Sequence, residues 1–109
     1  RMRKALGGGM RQAGYLAAAG IFALNNHRQR LKEDHQRARE LGKCIGQQPW
    51  VKYLMPIDTN ILIFELVETL TTEKMLSTLG AHHIKAVAFG PRQIRMVTHL
   101  DFRDDQLDY

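Results

Sequence analysis

Two arginines stand where a guanidinium can do chemistry. Arg11 follows Gly7-Gly8-Gly9 and opens a segment rich in small and apolar residues. If that segment is helical, its first N–H groups and the positive end of its dipole favour an anion, and an arginine adds charge and a two-pronged donor set. A phosphate group and the carboxylate of a structural ion pair suit this position equally well. Arg95 lies in Ile94-Arg95-Met96-Val97-Thr98-His99, a run with strand character. Alternation puts Ile94 and Met96 on one face and Arg95, Val97 and His99 on the other. A buried arginine among apolar neighbours needs an anionic partner, supplied internally or by a ligand. The residues alone favour the internal carboxylate.

Other reactive side chains make no recognised site. The five histidines have no metal-ligand spacing. His82 and His83 are adjacent at a helix-to-strand junction, where neighbouring side chains diverge, and His27 and His35 stand two turns apart on one helix face. No metal site is expected. Cys44 has no base beside it in sequence and reads as a packing residue. A single cysteine forms no internal disulfide, which fits a reducing compartment. The glycine run matches neither phosphate-loop signature, because no strand precedes it and no Gly-Lys-Ser/Thr follows.

The elements that must position these residues come from a chain of 109 residues, enough for one modest core. Hydrophobic residues make up 44% and charged residues 25%, the balance of a globular chain. The most apolar stretch, residues 15–24, is short and broken by Gly20, so no membrane span is expected. The opening residues break a signal-peptide pattern at Gly7-Gly8-Gly9. Arg1 in place of methionine predicts a cut end, and residues 101–109 read as a helix stopped after about one turn.

The net charge of +5 is uneven: ten Lys/Arg face three Asp/Glu in residues 1–50, and six face eight in residues 51–109. A basic half suits nucleic acid, headgroups or a phosphorylated cofactor. No aromatic platform or recognition motif accompanies it, so nucleic acid is not an expected partner. Over residues 28–43 the signs alternate, with Glu33 four before Arg37 and Arg30 four before Asp34, the pattern of a solvated helix face.

Residues 10–24 predict a helix that is apolar almost all round and therefore buried on several sides or used at an interface. Asn25-Asn26 interrupts it or caps a second, amphipathic helix carrying Leu31, Ala38, Leu41 and Ile45 and ending between residues 46 and 49. Residues 61–67 predict a central strand with apolar residues on both faces. Thr71 or Thr72 caps a short helix bearing Met75, Leu76 and Leu79, with Gly80 as its stop. Residues 83–89 and 93–99 predict two strands about Gly90-Pro91. If the last strand inserts between the other two, every pairing is antiparallel. The predicted fold class is α+β, a three-stranded, mainly antiparallel sheet packed with helices.

Several of these segments also carry a resemblance. Leu6-Gly7-Gly8-Gly9-Met10-Arg11-Gln12-Ala13-Gly14, running into Leu16-Ala17-Ala18-Ala19-Gly20, resembles the segment after the cofactor lysine in low-specificity threonine aldolases. Arg30-Leu31-Lys32-Glu33-Asp34-His35 resembles that family's next helix, with its Arg-Leu-x-Glu-Asp-His pattern. Asp58-Thr59-Asn60-Ile61 resembles the start of its small-domain strand, and Ile94-Arg95-Met96-Val97-Thr98-His99-Leu100-Asp101 its closing signature. The four matches stand in the family's order and cover nearly the whole chain.

The resemblance implies the C-terminal part of a fold-type-I pyridoxal 5'-phosphate enzyme. Residues 1–25 would be the end of the large cofactor-binding domain with an interface helix, and residues 26–109 the small domain, truncated at its last helix. It implies cytoplasmic homotetramers, dimers of dimers, that cleave small β-hydroxy-α-amino acids into glycine and an aldehyde. Arg95 matches the arginine that clamps the substrate α-carboxylate, which reverses the preference for an internal partner. Arg11 matches an arginine near the cofactor phosphate, and Lys4 a nearby basic residue. The covalent cofactor lysine is absent: none of the six lysines sits in the family's lysine motif. Arg103 stands where the family has a helix-capping serine. The chain alone is expected to be inactive, with no catalytic residue of its own. The alternative is a non-catalytic module that joins full-length subunits.

Overall fold

The computed structural model describes residues 2–108, the Arg3 side chain excepted. Arg1 and Tyr109, at which the cut-end and terminal-helix expectations begin and finish, lie outside the described residues. The chain divides into two compact units, Arg1–Arg30 and Leu31–Tyr109.

The first unit holds α1 (Met2–Ala5) and α2 (Gly14–Asn26). The helix expected from residue 10 starts at Gly14, because Gln12 adopts a left-handed φ of 49° that no helix accommodates. It runs past Leu24 because Asn25-Asn26 does not interrupt it. Asn26 Nδ2 donates to the Phe22 carbonyl at 2.8 Å, and the His27 ring meets Phe22 edge-on with centroids 5.5 Å apart. None of the α2 side chains is buried.

The second unit is α+β: α3 (Leu31–Gly46), β1 (Val51–Leu54), β2 (Ile61–Leu66), α4 (Thr72–Ala81), β3 (Val87–Gly90), β4 (Gln93–Val97) and α5 (Asp104–Leu107). The strands form one antiparallel sheet in the order β1-β2-β4-β3, so the last strand does insert between its predecessors. The sheet has four strands where the sequence predicts three. The extra strand, β1, is a short edge strand between Trp50 and Pro56, with a bulge between Val51 and Tyr53. Residues 83–89 yield only β3, because residues 82–84 close the helix before them. His83 takes the left-handed position with φ 61°, its N–H donating to Gly80 at 3.0 Å and that of Ile84 to Leu79 at 2.9 Å. Those two bonds form a Schellman cap, so α4 passes through Gly80 instead of ending there. Thr71 caps its other end, accepting from the Lys74 N–H at 3.3 Å.

Alternation along the strands separates two faces. Leu62, Phe64 and Leu66 of β2 and Ile94 of β4 are buried against Ile45 of α3, with Leu41, Leu54, Met75, Leu76 and Met96 packed around them. Trp50 tilts on Phe64 at a centroid distance of 5.6 Å. The absence of a side chain at buried Gly42 lets α3 approach this layer, since a Cβ there would overlap Ile57 Cδ1.

The charges of α3 are less uniformly solvated than their alternation predicts. Asp34 is 2% exposed, and Arg37 lies 3.7 Å from it and 3.9 Å from Glu33 while its Nε donates to Asp104 of α5 at 2.6 Å. Beneath this cluster the buried Thr98 hydroxyl donates to the Asp34 carbonyl at 2.7 Å, tying the end of β4 to the start of α3.

Candidate functional site on the open sheet face

Among the described residues, no helix of this unit packs on the face of the sheet away from α3 and α4. It presents Lys52 and Tyr53 of β1, Ile61, Ile63 and Glu65 of β2, Gln93, Arg95 and Val97 of β4, and Val87 of β3. Arg95 is at its centre, in register with Ile63 on one side and Val87 on the other. The bulge in β1 directs both Lys52 and Tyr53 to this face, where Lys52 Nζ lies 3.2 Å from Glu65 Oε1. Glu65, one step along the face from Ile63, is thereby neutralised. Arg92 in the β3–β4 turn lies 3.7 Å from Glu68.

Arg95 has no such partner. Its Nε is sealed from solvent without a hydrogen-bond acceptor, and among the described residues no carboxylate pairs with its guanidinium. An unmet buried donor costs about 1–3 kcal/mol. The internal carboxylate that the residues alone favoured for Arg95 is therefore not present among the described residues. A guanidinium held on a rigid strand, among apolar neighbours and without an acceptor, is suited to an incoming carboxylate or phosphate.

Arg11 and Lys4 belong to the first unit. Lys4 lies on α1 and Arg11 in the turn before α2, and both are exposed. Ala13 at the start of α2 supplies no side-chain cap, and no acidic residue occupies the first turn. The positive dipole end of this 13-residue helix therefore has neither a side-chain cap nor a first-turn acid, although the Tyr15 N–H donates to the Gln12 carbonyl at 3.3 Å. Gly7 at φ 82° turns the chain just ahead of this point, with open space around it. Positive charge at an uncapped helix start is suited to an anion.

The signal for the Arg95 environment in sequence was limited to alternation. Which residues flank it, Ile63 and Val87, depends on register between distant segments. Gln12, beside Arg11, gave no warning of its positive φ, since glutamine is not a residue that favours that region.

A second feature is a groove of about 630 Å³ on the helical side of the sheet, floored by Leu41, Leu62 and Met96 and rimmed by Lys85, His99 and Asp105. Arg95 does not line it. Among the described residues no group of three or more His, Cys, Asp or Glu can hold a metal ion, and no helix is long and apolar enough to cross a membrane. The Cys44 thiol is exposed, contrary to the packing role expected of it.

The family model for beta-eliminating lyases matches residues 1–69, and the chain belongs to that family. It is similar to the low specificity L-threonine aldolase of Escherichia coli K12, 39% identical over 98% of this chain and 31% of the relative. Low-specificity L-threonine aldolase 1 of Arabidopsis thaliana is 31% identical over 99% of this chain and 31% of its own length. The probable low-specificity L-threonine aldolase of Schizosaccharomyces pombe is 46% identical over 55% of this chain and 16% of its own. The chain spans about 30% of the length of the first two of these relatives.

Proposed function

We propose that this chain is a section of a pyridoxal phosphate-dependent threonine aldolase, cleaving L-threonine and L-allo-threonine to glycine and acetaldehyde. The observation that carries the reading is the buried, unpartnered Nε of Arg95 on the open sheet face, in a chain similar to threonine aldolases over nearly its whole length. Arg95 binds the substrate α-carboxylate and fixes its orientation. Arg11 and Lys4, with the positive dipole end of α2, hold the cofactor phosphate. When bound, pyridoxal phosphate supplies the electron sink for carbon–carbon cleavage. This chain carries no lysine in the family's anchoring motif, so its 109 residues alone are inactive. The active protein is a cytoplasmic homo-oligomer, a dimer of dimers.

The test compares the 109-residue chain with a longer polypeptide that contains it, measuring acetaldehyde released from both threonine diastereomers with added cofactor. The longer protein releases acetaldehyde and the short chain does not. Arg95→Ala in the longer protein lowers kcat/KM by roughly a hundredfold, the loss of a charge-assisted pair of hydrogen bonds. An unchanged KM in that variant sinks the role given to Arg95.

One observation favours a second reading, a non-catalytic module that associates with full-length subunits. Tyr15, Leu16, Ile21, Phe22 and Leu24 of α2 are all at least 59% exposed, an apolar surface of the kind that subunit interfaces cover. A purified chain sedimenting as a 12.5 kDa monomer and failing to join full-length subunits counts against it.

A further inference from the structure

We infer that Ile63 and Val87 are positioning residues for Arg95: they confine its stem, keep its Nε dry, and leave the guanidinium to meet a carboxylate end-on through its two Nη groups. The inference rests on the reading of Arg95 as a carboxylate-binding residue.

Both residues stand directly opposite Arg95 in the antiparallel register, one on each neighbouring strand. Side chains so paired share a face, with Cβ atoms about 5 Å apart. Both are β-branched and stiff at χ1; Ile63 is half-buried, and Val87, on the edge strand, is 51% exposed. The Nε atom is sealed and unpartnered, whereas the Nη groups are not among the sealed atoms and have no acceptor among the described residues.

A carboxylate can meet a guanidinium side-on, through Nε and one Nη, or end-on, through both Nη atoms. The side-on approach requires an oxygen to reach Nε, which is closed even to water. Only the end-on approach is open without moving the stem away from its flanks. It places the carboxylate beyond the tip of the side chain. Glu65, the nearest acid along the face, is held by Lys52 at 3.2 Å and does not compete.

The experiment uses the ¹⁵N-labelled 109-residue chain and reads the arginine Nε–Hε and Nη signals by NMR, with those of Arg95 identified by their loss in Arg95→Lys. In the unmodified chain the Arg95 Hε exchanges with solvent at least about tenfold more slowly than that of exposed Arg92. Ile63→Ala and Val87→Ala each speed that exchange, while Ile63→Val, which keeps the branch, leaves it slow. Glycine, added as the probe, shifts the Nη signals of Arg95 and not its Nε signal. An Hε exchanging as fast as that of Arg92 in the unmodified chain overturns the inference, with no variant needed. So does a glycine shift confined to Nε. Slow Hε exchange with no glycine response supports the flanking role and removes the carboxylate assignment, so the two ideas fail separately.

Discussion

Replacing Arg95 by methionine should make the chain more stable, not less. The arginine stem lies on a central strand between Ile63 and Val87, and methionine preserves most of that apolar length. What the substitution removes is a buried Nε–H with no acceptor. An unmet buried donor costs about 1–3 kcal/mol, and the two Nη groups contribute little to the balance because they are not sealed off in the folded chain. The expected gain is therefore about 1–2 kcal/mol. Each kcal/mol moves the thermal midpoint of a unit this size by about 4–8 °C. Trp50, the only tryptophan, packs on Phe64 in the same core and reports this unit's unfolding by fluorescence. Urea titrations of the parent chain and Arg95→Met should show a higher midpoint with an unchanged slope. Arg92→Met is the control: Arg92 is exposed in a turn, 3.7 Å from Glu68, and its loss should change stability by less than about 0.5 kcal/mol. A destabilised Arg95→Met would refute the reasoning, since it would mean that the guanidinium is satisfied within the fold.

Three other substitutions test the framework around that site. Thr98→Val removes the buried hydroxyl that donates to the Asp34 carbonyl at 2.7 Å and should cost about 1–2 kcal/mol by the same fluorescence assay, with Thr98→Ser close to the parent. His83→Gly relieves a left-handed φ of 61° in the α4 cap, and thermal melts should show a gain of about 0.5–1 kcal/mol. Asp104 accepts a hydrogen bond from Arg37, which together with the charge of Arg37 holds its carboxyl below the usual range. A depressed carboxylate stabilises the docked α5 above its unfolded pKa, and that contribution is lost as pH falls through the lower folded value. A ¹³C titration of the Asp104 carboxyl should show this depression, and Arg37→Gln should abolish it. Amide exchange in residues 104–107 should quicken in the same acid range.

Much of the architecture was legible from local pattern. The amphipathic spacing of Ala38, Leu41 and Ile45 defines α3, the β-rich run at residues 61–67 defines β2, and Thr71, one of the two threonines expected as caps, is the one that caps α4. These features depend on residues within a few positions of one another, where helical and strand periods act directly. The insertion of β4 between β2 and β3 was an arrangement that the order of elements allowed, the one that makes every pairing antiparallel, and the structure adopts it. Local pattern did not reveal β1, a four-residue edge strand that exists because β2 offers it a free ladder. Nor did it foresee that His83, rather than Gly80, would turn the chain after α4. A left-handed cap is imposed by where the next strand must begin, and the cost at a non-glycine residue is small enough for the fold to bear.

For the site, the amino-acid order determined that Arg95 would face away from Ile94 and Met96, because alternation along a strand follows from backbone geometry alone. It also put Arg11 ahead of a helix start. The tertiary structure decided what surrounds Arg95. Register between segments about thirty residues apart put Ile63 opposite it, the hairpin put Val87 on its other side, and a bulge in β1 brought Lys52 to Glu65 so that this acid is occupied. Whether an arginine is satisfied depends on which acceptors arrive around it in space, and no local period encodes that.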